Sequence, residues 1–181
     1  TIPVSVVMGN VRQMIELPLT ELRAGLTASL AVPRWVDDVV RVAPFESVAQ
    51  LLGVASKAAT PLSASEIDEA LAHHPRIGEK PVGDGAAQAF SRDEQSGLGS
   101  LSEAGLAAAI AAGNVTYEER FERIFIIRAA GRSPAEILAE LERRLELPNS
   151  SELEIVGEQL RDIALLRIEK LWAVPTDGER S

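Results

Sequence analysis

Both histidines of this 181-residue chain are neighbours, His73 and His74, in a segment that reads His-His-Pro-Arg-Ile-Gly-Glu-Lys. Histidine donates and accepts protons near neutral pH because its ordinary pKa is ~6.5. Pro75 disfavours the helical conformation for the residue before it, so we expect the imidazole of His74 to project from a helix end. His74 is therefore the first candidate for acid–base chemistry. A partly exposed pair of histidines that caps helix carbonyls would show the same pattern.

Arg167 is a second candidate because it falls within the apolar face of a predicted helix at 151–172. The apolar positions of that face are Leu153, Val156, Leu160, Ala164 and Leu171. An unpaired guanidinium is costly to bury, so Arg167 should meet a carboxylate, backbone carbonyls or an anionic ligand. The residues alone favour a structural ion pair, or a side chain that extends to the helix edge.

The run Ser-Arg-Asp-Glu-Gln at 91–95 permits two interpretations. Ser91 followed three residues later by Glu94 is typical of a capping box at the start of a helix. The same helix start would present free backbone N–H groups to an anion or a polar ring, beside a carboxylate and the Gln95 amide. The residues alone favour the capping box, but a carboxylate at this helix start is also suited to accept hydrogen bonds from N–H groups of a ligand.

Several common kinds of site are missing from the sequence. The chain has no cysteine, which excludes disulfides, thiolate nucleophiles and zinc sites of the CxxC type. Two neighbouring histidines point apart, so a metal site would depend on scattered carboxylates, and we expect no metal. No GxSxG nucleophile motif is present. The glycines at 78–85 match neither the Walker nor the Rossmann spacing of phosphate-binding loops.

Composition narrows the class of partner. A net charge of −9 argues against a general basic surface for nucleic acid and against docking on anionic lipid. No apolar run approaches the ~20 residues that span a bilayer, and the N-terminus has no basic stretch before an apolar block. The sequence predicts a soluble, cytoplasmic protein that binds a small molecule or a protein, with no nucleic acid and no membrane.

Helical signals run along most of the chain, which is rich in Ala, Leu and Glu and lacks sustained β-branched alternation. We predict an all-α fold, a single compact domain of about seven to nine helices over residues 17–172. An N-terminal extension, 1–16, and a C-terminal tail, 173–181, show the weakest signals for fixed structure. The predicted helices cover 17–31, 34–42, a stretch from Pro44, 64–73, a stretch from about Ser91 to Gly113, 117–129, 134–145 and 151–172.

Residues that typically begin or end helices set several of those bounds. Serines that precede glutamate by three predict helix starts after Ser63 and Ser133. Gly113-Asn114 and Gly131 are expected to end helices, as glycine and asparagine often do. The glycines and prolines of residues 76–87 predict a loop.

Four motifs, taken in order, resemble one family. They are His-Pro-Arg-Ile-Gly at 74–78, Ser-Arg-Asp-Glu-Gln at 91–95, the stretch from Tyr117 to Ser133, and Leu-Arg-Ile at 166–168. Each motif is weak alone, whereas their order and spacing together are specific. Trp35 and Pro44-Phe45 also match. The sequence thus resembles the 2-oxo-4-hydroxy-4-carboxy-5-ureidoimidazoline (OHCU) decarboxylase family of uric acid degradation, over about residues 17–172.

The resemblance implies an all-helical, cofactor-free enzyme, usually a homodimer, that converts OHCU into (S)-allantoin and carbon dioxide. It implies His74 as the catalytic acid/base, with Glu94 as its catalytic partner. No metal or organic electron sink is needed, because the ring C=N accepts the electron pair left by carbon dioxide. The residues that it implies for substrate binding are Pro75, Ser91, Gln95 and Arg167, together with backbone groups of Arg92, Asp93, Phe125, Ile126, Ile127, Arg128 and Ala129.

Two other functions remain open at this point. The first is a non-catalytic acidic helical module that binds a protein or small ligand through the face Phe121–Ile127, in which case His74 and Arg167 need not approach each other. The second is a cofactor-free lyase or hydrolase that acts on another ureido or hydantoin compound. Arg128 stands where many relatives have a small residue or cysteine, and it would shift the preference if it faced the pocket. Convergence of His74, Glu94 and Arg167 on one cavity separates these possibilities.

Overall fold

Seven α-helices account for most of the residues that the computed structural model describes, which are 17–77 and 104–172. No β-strand element occurs within these two ranges, and the predicted all-α class is confirmed. In chain order the helices are α1 (Leu19–Ser29), α2 (Pro33–Val40), α3 (Val48–Ala58), α4 (Ala64–Leu71), α5 (Ala104–Phe121), α6 (Pro134–Leu145) and α7 (Asn149–Trp172). The predicted extension 1–16, the tail 173–181, the helix start near Ser91 and most of the predicted loop lie outside the described residues.

Capping boxes start two of these helices, as the sequence predicts. At α4 the Ser63 hydroxyl accepts the N–H of Glu66 at 3.2 Å, and the Glu66 carboxylate accepts the N–H of Ser63 at 2.8 Å. Ser133 and Glu136 make the same reciprocal pair at the start of α6. Each box satisfies N–H groups that no helical carbonyl reaches, and α6 has the predicted bounds.

Other helix ends differ from the prediction. The second helix begins one residue earlier than predicted, at Pro33, where the missing N–H of proline costs nothing. Pro44 does not begin a helix; it follows a cis peptide bond, and α3 begins at Val48 because Ser47 caps it by accepting the N–H of Gln50 at 3.1 Å.

The prediction that Gly113-Asn114 ends a helix is wrong, because α5 continues through both residues to Phe121. Gly113 lies against Leu141 of α6, and a Cβ at position 113 would stand 2.5 Å from the Leu141 Cδ2 atom. Asn114 is buried and donates its side-chain N–H to the carbonyl oxygen of Ile77 at 3.1 Å. The pair therefore serves a close helix contact and a tertiary hydrogen bond.

The predicted helix at 117–129 is also wrong beyond Phe121. Glu122 has a φ of 56°, in the left-handed region that ends helices, and residues 124–129 have no helical structure. Gly131, with a φ of 78°, belongs to a turn before α6 and does not follow a helix. The apolar residues of this segment alternate between two cores, as in an extended chain.

Two apolar clusters form the interior of the described residues. The first joins α1 to α4 with one face of α7, and its largest side chain is Trp35, whose indole N–H donates to the carbonyl of Ala55 at 2.9 Å. The second joins α5 and α6 and includes Ile77. Ile126 packs in the first cluster, whereas Phe125 and Ile127 pack in the second. The extended segment therefore connects the two.

No helix within residues 17–77 and 104–172 combines the length and the apolar character needed to cross a membrane.

Replacement of Gly113 tests the close contact between α5 and α6. We expect Gly113→Ala to lower the free energy of unfolding by about 1–3 kcal/mol, because Leu141 is fully buried and cannot move freely. Gly105→Ala in the same helix is the control; its Cβ would meet nothing within 4 Å, so we expect a gain of up to ~1 kcal/mol. Urea unfolding followed by circular dichroism measures both. Equal gains at the two positions would contradict the close contact.

Candidate active site

A cleft of about 860 Å³ lies between α1, the start of α2 and the turn after α4. His74 and Arg167, the two residues singled out from the sequence, both line it. The described residues around the cleft are Thr20, Arg23, Ala24, Thr27, Ala28, Ser29, Ala31, Val32, Pro33, Val36, His73, His74 and Arg167. Its size suits a small molecule.

His74 stands at the end of α4, as its neighbour Pro75 predicts. The backbone N–H of His74 donates to the carbonyl of Leu71 at 3.1 Å and fixes the turn that follows the helix. Burial, with a smaller contribution from the positive charge of Arg167, lowers the pKa of His74 to about 3. The imidazole is therefore neutral near pH 7 and is able to accept a proton.

Arg167 enters the cleft from α7 with only 3% of its surface exposed. Its guanidinium lies 3.4 Å from the carbonyl oxygen of Ala28, near the C-terminal end of α1, where helix carbonyls lack helical partners. Backbone carbonyls are among the partners that the sequence predicts for Arg167. The contact supports α1 and leaves the guanidinium at the cleft wall.

The polar face of α1 also lines the cleft, and the sequence interpretation missed it. Thr20, Arg23 and Thr27 recur every three or four residues on α1, on a face beside that of its leucines, and this spacing was the available signal. Arg23 pairs with Asp37 at 2.6 Å. The charged side chains among the described lining residues are Arg23 and Arg167, with no carboxylate. In an acidic chain, such a cleft favours an anionic ligand.

The remaining predicted site residues are not brought together by the described structure. Ser91, Arg92, Asp93, Glu94 and Gln95 lie outside it. Pro75 follows His74 but does not line the described cleft, and neither does any residue of the segment at 125–129. Of that segment, Phe125, Ile126, Ile127 and Ala129 are buried in the cores, whereas Arg128 is exposed. Their contact with a ligand stays a prediction.

A buried ion pair holds the segment at 124–129 in its extended form. Arg144 and Glu152 are both 0% exposed, and the guanidinium donates to both carboxylate oxygens, with Nε at 2.9 and 3.1 Å. Arg144 Nη1 donates to the carbonyl of Ile126 at 2.8 Å, and the guanidinium carbon lies 4.7 Å from the centre of the Phe125 ring. Arg144 therefore provides the hydrogen-bond donor for the Ile126 carbonyl, a role that a backbone N–H would fill within a helix.

Two more contacts complete this network. The Tyr117 hydroxyl donates to Glu152 at 2.5 Å, and burial together with that hydrogen bond raises the pKa of Tyr117 above its ordinary value. Gln159 of α7 accepts the backbone N–H of Arg128 at 2.9 Å. Arg144 and Glu152 look like ordinary helix-surface charges in the sequence, so nothing local reveals the pair.

Within residues 17–77 and 104–172, no three His, Asp or Glu side chains are grouped as a metal ion would require.

The fold matches a solved structure described as OHCU decarboxylase in the presence of (S)-allantoin. The TM-score is 0.71 at 26% sequence identity, and the match covers 83% of this chain and 99% of that one. The helical architecture therefore belongs to the class of folds that includes OHCU decarboxylase.

The sequence matches the family model for OHCU decarboxylase over residues 16–169, and the chain belongs to that family. It is 30% identical to 2-oxo-4-hydroxy-4-carboxy-5-ureidoimidazoline decarboxylase of Haloferax volcanii over 140 residues, which is 77% of this chain and 82% of the relative. It is 38% identical to the uric acid degradation bifunctional protein TTL of Arabidopsis thaliana over 109 residues, or 58% of this chain. The match spans one third (33%) of the plant protein's length.

Removal of one charge from the buried pair should be far more damaging than removal of a surface charge. We expect Glu152→Gln to lower the free energy of unfolding by about 3–5 kcal/mol, because it leaves the Arg144 guanidinium buried without a counter-charge. Glu140→Gln breaks the exposed Glu140–Arg143 pair and should cost less than ~1 kcal/mol. Denaturant unfolding measures the difference, and similar losses for the two variants would contradict a strong role for the buried pair.

The depressed pKa of His74 predicts a loss of stability in acid. Its folded pKa, about 3, lies below the ~6.5 of an unfolded chain, so between these pH values the unfolded state binds the extra proton. The free energy of unfolding should therefore fall as pH drops through this window, by up to ~1.4 kcal/mol per pH unit. His74→Gln should flatten that slope, since carboxylates such as Glu66 titrate alike in both proteins. Parallel slopes for the variant and the wild type would show that His74 titrates normally.

Proposed function

We propose that this protein decarboxylates 2-oxo-4-hydroxy-4-carboxy-5-ureidoimidazoline to (S)-allantoin and carbon dioxide in urate degradation. Membership of the OHCU decarboxylase family and the similarity to a structure determined with (S)-allantoin support the reaction. The observation that carries the proposal is that His74 and Arg167 line one cleft of suitable size. Arg167 brings a positive charge to the wall of that cleft, which suits a substrate with a negative charge.

Decarboxylation breaks the bond between the substrate's C4 and its carboxylate carbon. The electron pair moves into the adjacent ring C=N, and that nitrogen takes up a proton, which leaves an enol at C4 and C5. Loss of the C4 hydroxyl proton and protonation of C5 then give allantoin. Neutral His74 is suited to accept the hydroxyl proton and to return one to C5 on a single face. Protonation on one face sets the configuration of the product.

Arg167 would contact the polar atoms of the ring. Negative charge moves from the carboxylate onto the ring as carbon dioxide leaves, so a guanidinium near the ring stabilises the transition state more than the bound substrate. Burial of Arg167 strengthens this effect, because few water molecules screen the charge. The contact with Ala28 holds the guanidinium in place before substrate binds.

The other assigned residues belong to the same proposal. Glu94 would act with His74, while Pro75, Ser91 and Gln95 would border the substrate. Backbone groups of Arg92 and Asp93, and of the segment at 125–129, would bind its ring and ureido atoms. We also propose that the enzyme needs no cofactor and acts as a homodimer in the cytoplasm. Size-exclusion chromatography with light scattering and cell fractionation test the last two points.

The structure favours this enzyme over a binding module that uses the face Phe121–Ile127. Such a module needs exposed apolar side chains, whereas Phe121, Phe125 and Ile127 are buried in the second cluster. Arg128 is exposed and does not line the described cleft, so nothing in the described structure supports a shifted substrate preference through that side chain.

The reaction is tested by generating the substrate from urate with uricase and the hydrolase that follows it, and by recording circular dichroism as allantoin forms. We expect rapid formation of one enantiomer, and a loss of at least ~100-fold in kcat for His74→Gln, since the variant cannot transfer the proton. Arg167→Met should lower kcat/KM strongly. Arg161→Met on the same helix is the control, because Arg161 lies outside the cleft and bonds to Asp162. A slow racemic product, unchanged by the protein, would overturn the proposal.

A further inference from the structure

The segment that follows His74 is attached to α5 by two side chains that no part of the reaction uses. Asn114 donates to the carbonyl oxygen of Ile77 at 3.1 Å, three residues after His74. One turn further along α5, Glu118 accepts two hydrogen bonds from the Arg76 guanidinium, of which Nη2 to Oε2 measures 3.0 Å. Both contacts hold Arg76 and Ile77, the two residues that follow Pro75, against α5.

Packing alone does not explain an asparagine at position 114, because burial of its polar amide group lowers the stability of the fold. It is 7% exposed, and its Oδ1 atom has no hydrogen-bond partner among the described residues. A buried amide with one unsatisfied polar atom destabilises a protein relative to an apolar side chain of similar shape. The hydrogen bond to Ile77 is therefore the feature that accounts for an amide at this site.

Glu118 adds a geometrically strict contact at the surface. Arg76 donates through both Nε and Nη2, and such a two-point pair fixes orientation as well as distance. The guanidinium lowers the pKa of the Glu118 carboxyl, so the pair stays charged at neutral pH. Because Pro75 stiffens the backbone between His74 and Arg76, an orientation imposed on Arg76 is transmitted to His74.

We propose that Asn114 and Glu118 are positioning residues that hold the His74 imidazole in the cleft. The proposal rests on the proposed function of His74. On one side the imidazole is fixed by the end of α4, through the hydrogen bond to Leu71. On the other side, α5 holds the chain at Arg76 and Ile77. The catalytic segment is thereby anchored at both ends, to helices that belong to different apolar clusters.

Kinetics of three variants test the proposal: Asn114→Leu, Glu118→Gln and, as a control, Glu119→Gln. Glu119 is an exposed neighbour on α5, so its replacement removes the same charge without touching the segment after His74. We expect the first two variants to lower kcat about 10-fold or more, while KM stays within about two-fold, because small misplacement of a catalytic group slows the reaction without loosening substrate binding. The control should match the wild type.

Nuclear magnetic resonance of the imidazole gives a readout that does not require activity. The signals of His74 are assigned by their loss in His74→Gln, and their titration is followed with pH. The groups that lower its pKa besides burial are Arg167 and His73, which none of the variants changes. If the segment loosens, the imidazole becomes more exposed to water, and the pKa of His74 should rise by at least about one unit toward its ordinary value.

The two readouts separate the possible failures. An inactive wild type with a raised His74 pKa in Asn114→Leu and Glu118→Gln would support the positioning role and overturn the proposed reaction. An active wild type whose kcat and His74 pKa are unchanged by both variants would overturn the positioning role alone. A rise in KM with kcat unchanged would also overturn it. If Asn114→Leu does not fold, Glu118→Gln at the surface decides.

Discussion

The buried pair of Arg144 and Glu152 is the interaction on which the rest of the described structure depends. Two charges without access to water are stabilised only when nearly all of their hydrogen-bonding groups have partners. Here Tyr117 of α5, Arg144 of α6, Glu152 of α7 and the carbonyl of Ile126 meet in one network. Because each partner comes from a different element, the network satisfies its charges only when all of these elements are assembled.

The network also explains why the chain after α5 is extended. A helix through residues 122–129 would use its own carbonyls, whereas the carbonyl of Ile126 accepts from Arg144 and the N–H of Arg128 donates to Gln159. Extended geometry sends successive side chains to opposite sides, which places Ile126 in one apolar cluster and its neighbours in the other. The two apolar clusters are thus joined through a segment in which side chains of α6 and α7 bind the backbone at Ile126 and Arg128.

Local signals in the sequence were sufficient for α6, for both capping boxes and for the placement of His74 at a helix end. Each of these depends on residues within about four positions of one another. The signals failed where distant residues decide. Gly113 and Asn114 resemble a helix end, but Leu141 and Ile77 require a glycine and an amide there. The spacing of Phe121, Ile124 and Phe125 is typical of a helix. The extended form is stabilised by the distant Arg144 and Gln159, which form hydrogen bonds with its backbone.

The electrostatics of the cleft give His74 a role that depends on the ligand. In the cleft of the described structure, burial and the neighbouring Arg167 keep the imidazole neutral, so it is a proton acceptor. A bound anion adds an opposite charge beside the imidazole and opposes the effect of Arg167, which raises the pKa of His74. Once it holds a proton, the imidazolium becomes an acid strong enough to return that proton to carbon. The low pKa thus keeps His74 unprotonated before an anion binds and makes its protonated form ready to release the proton, provided that Arg76 and Ile77 keep the residue in place.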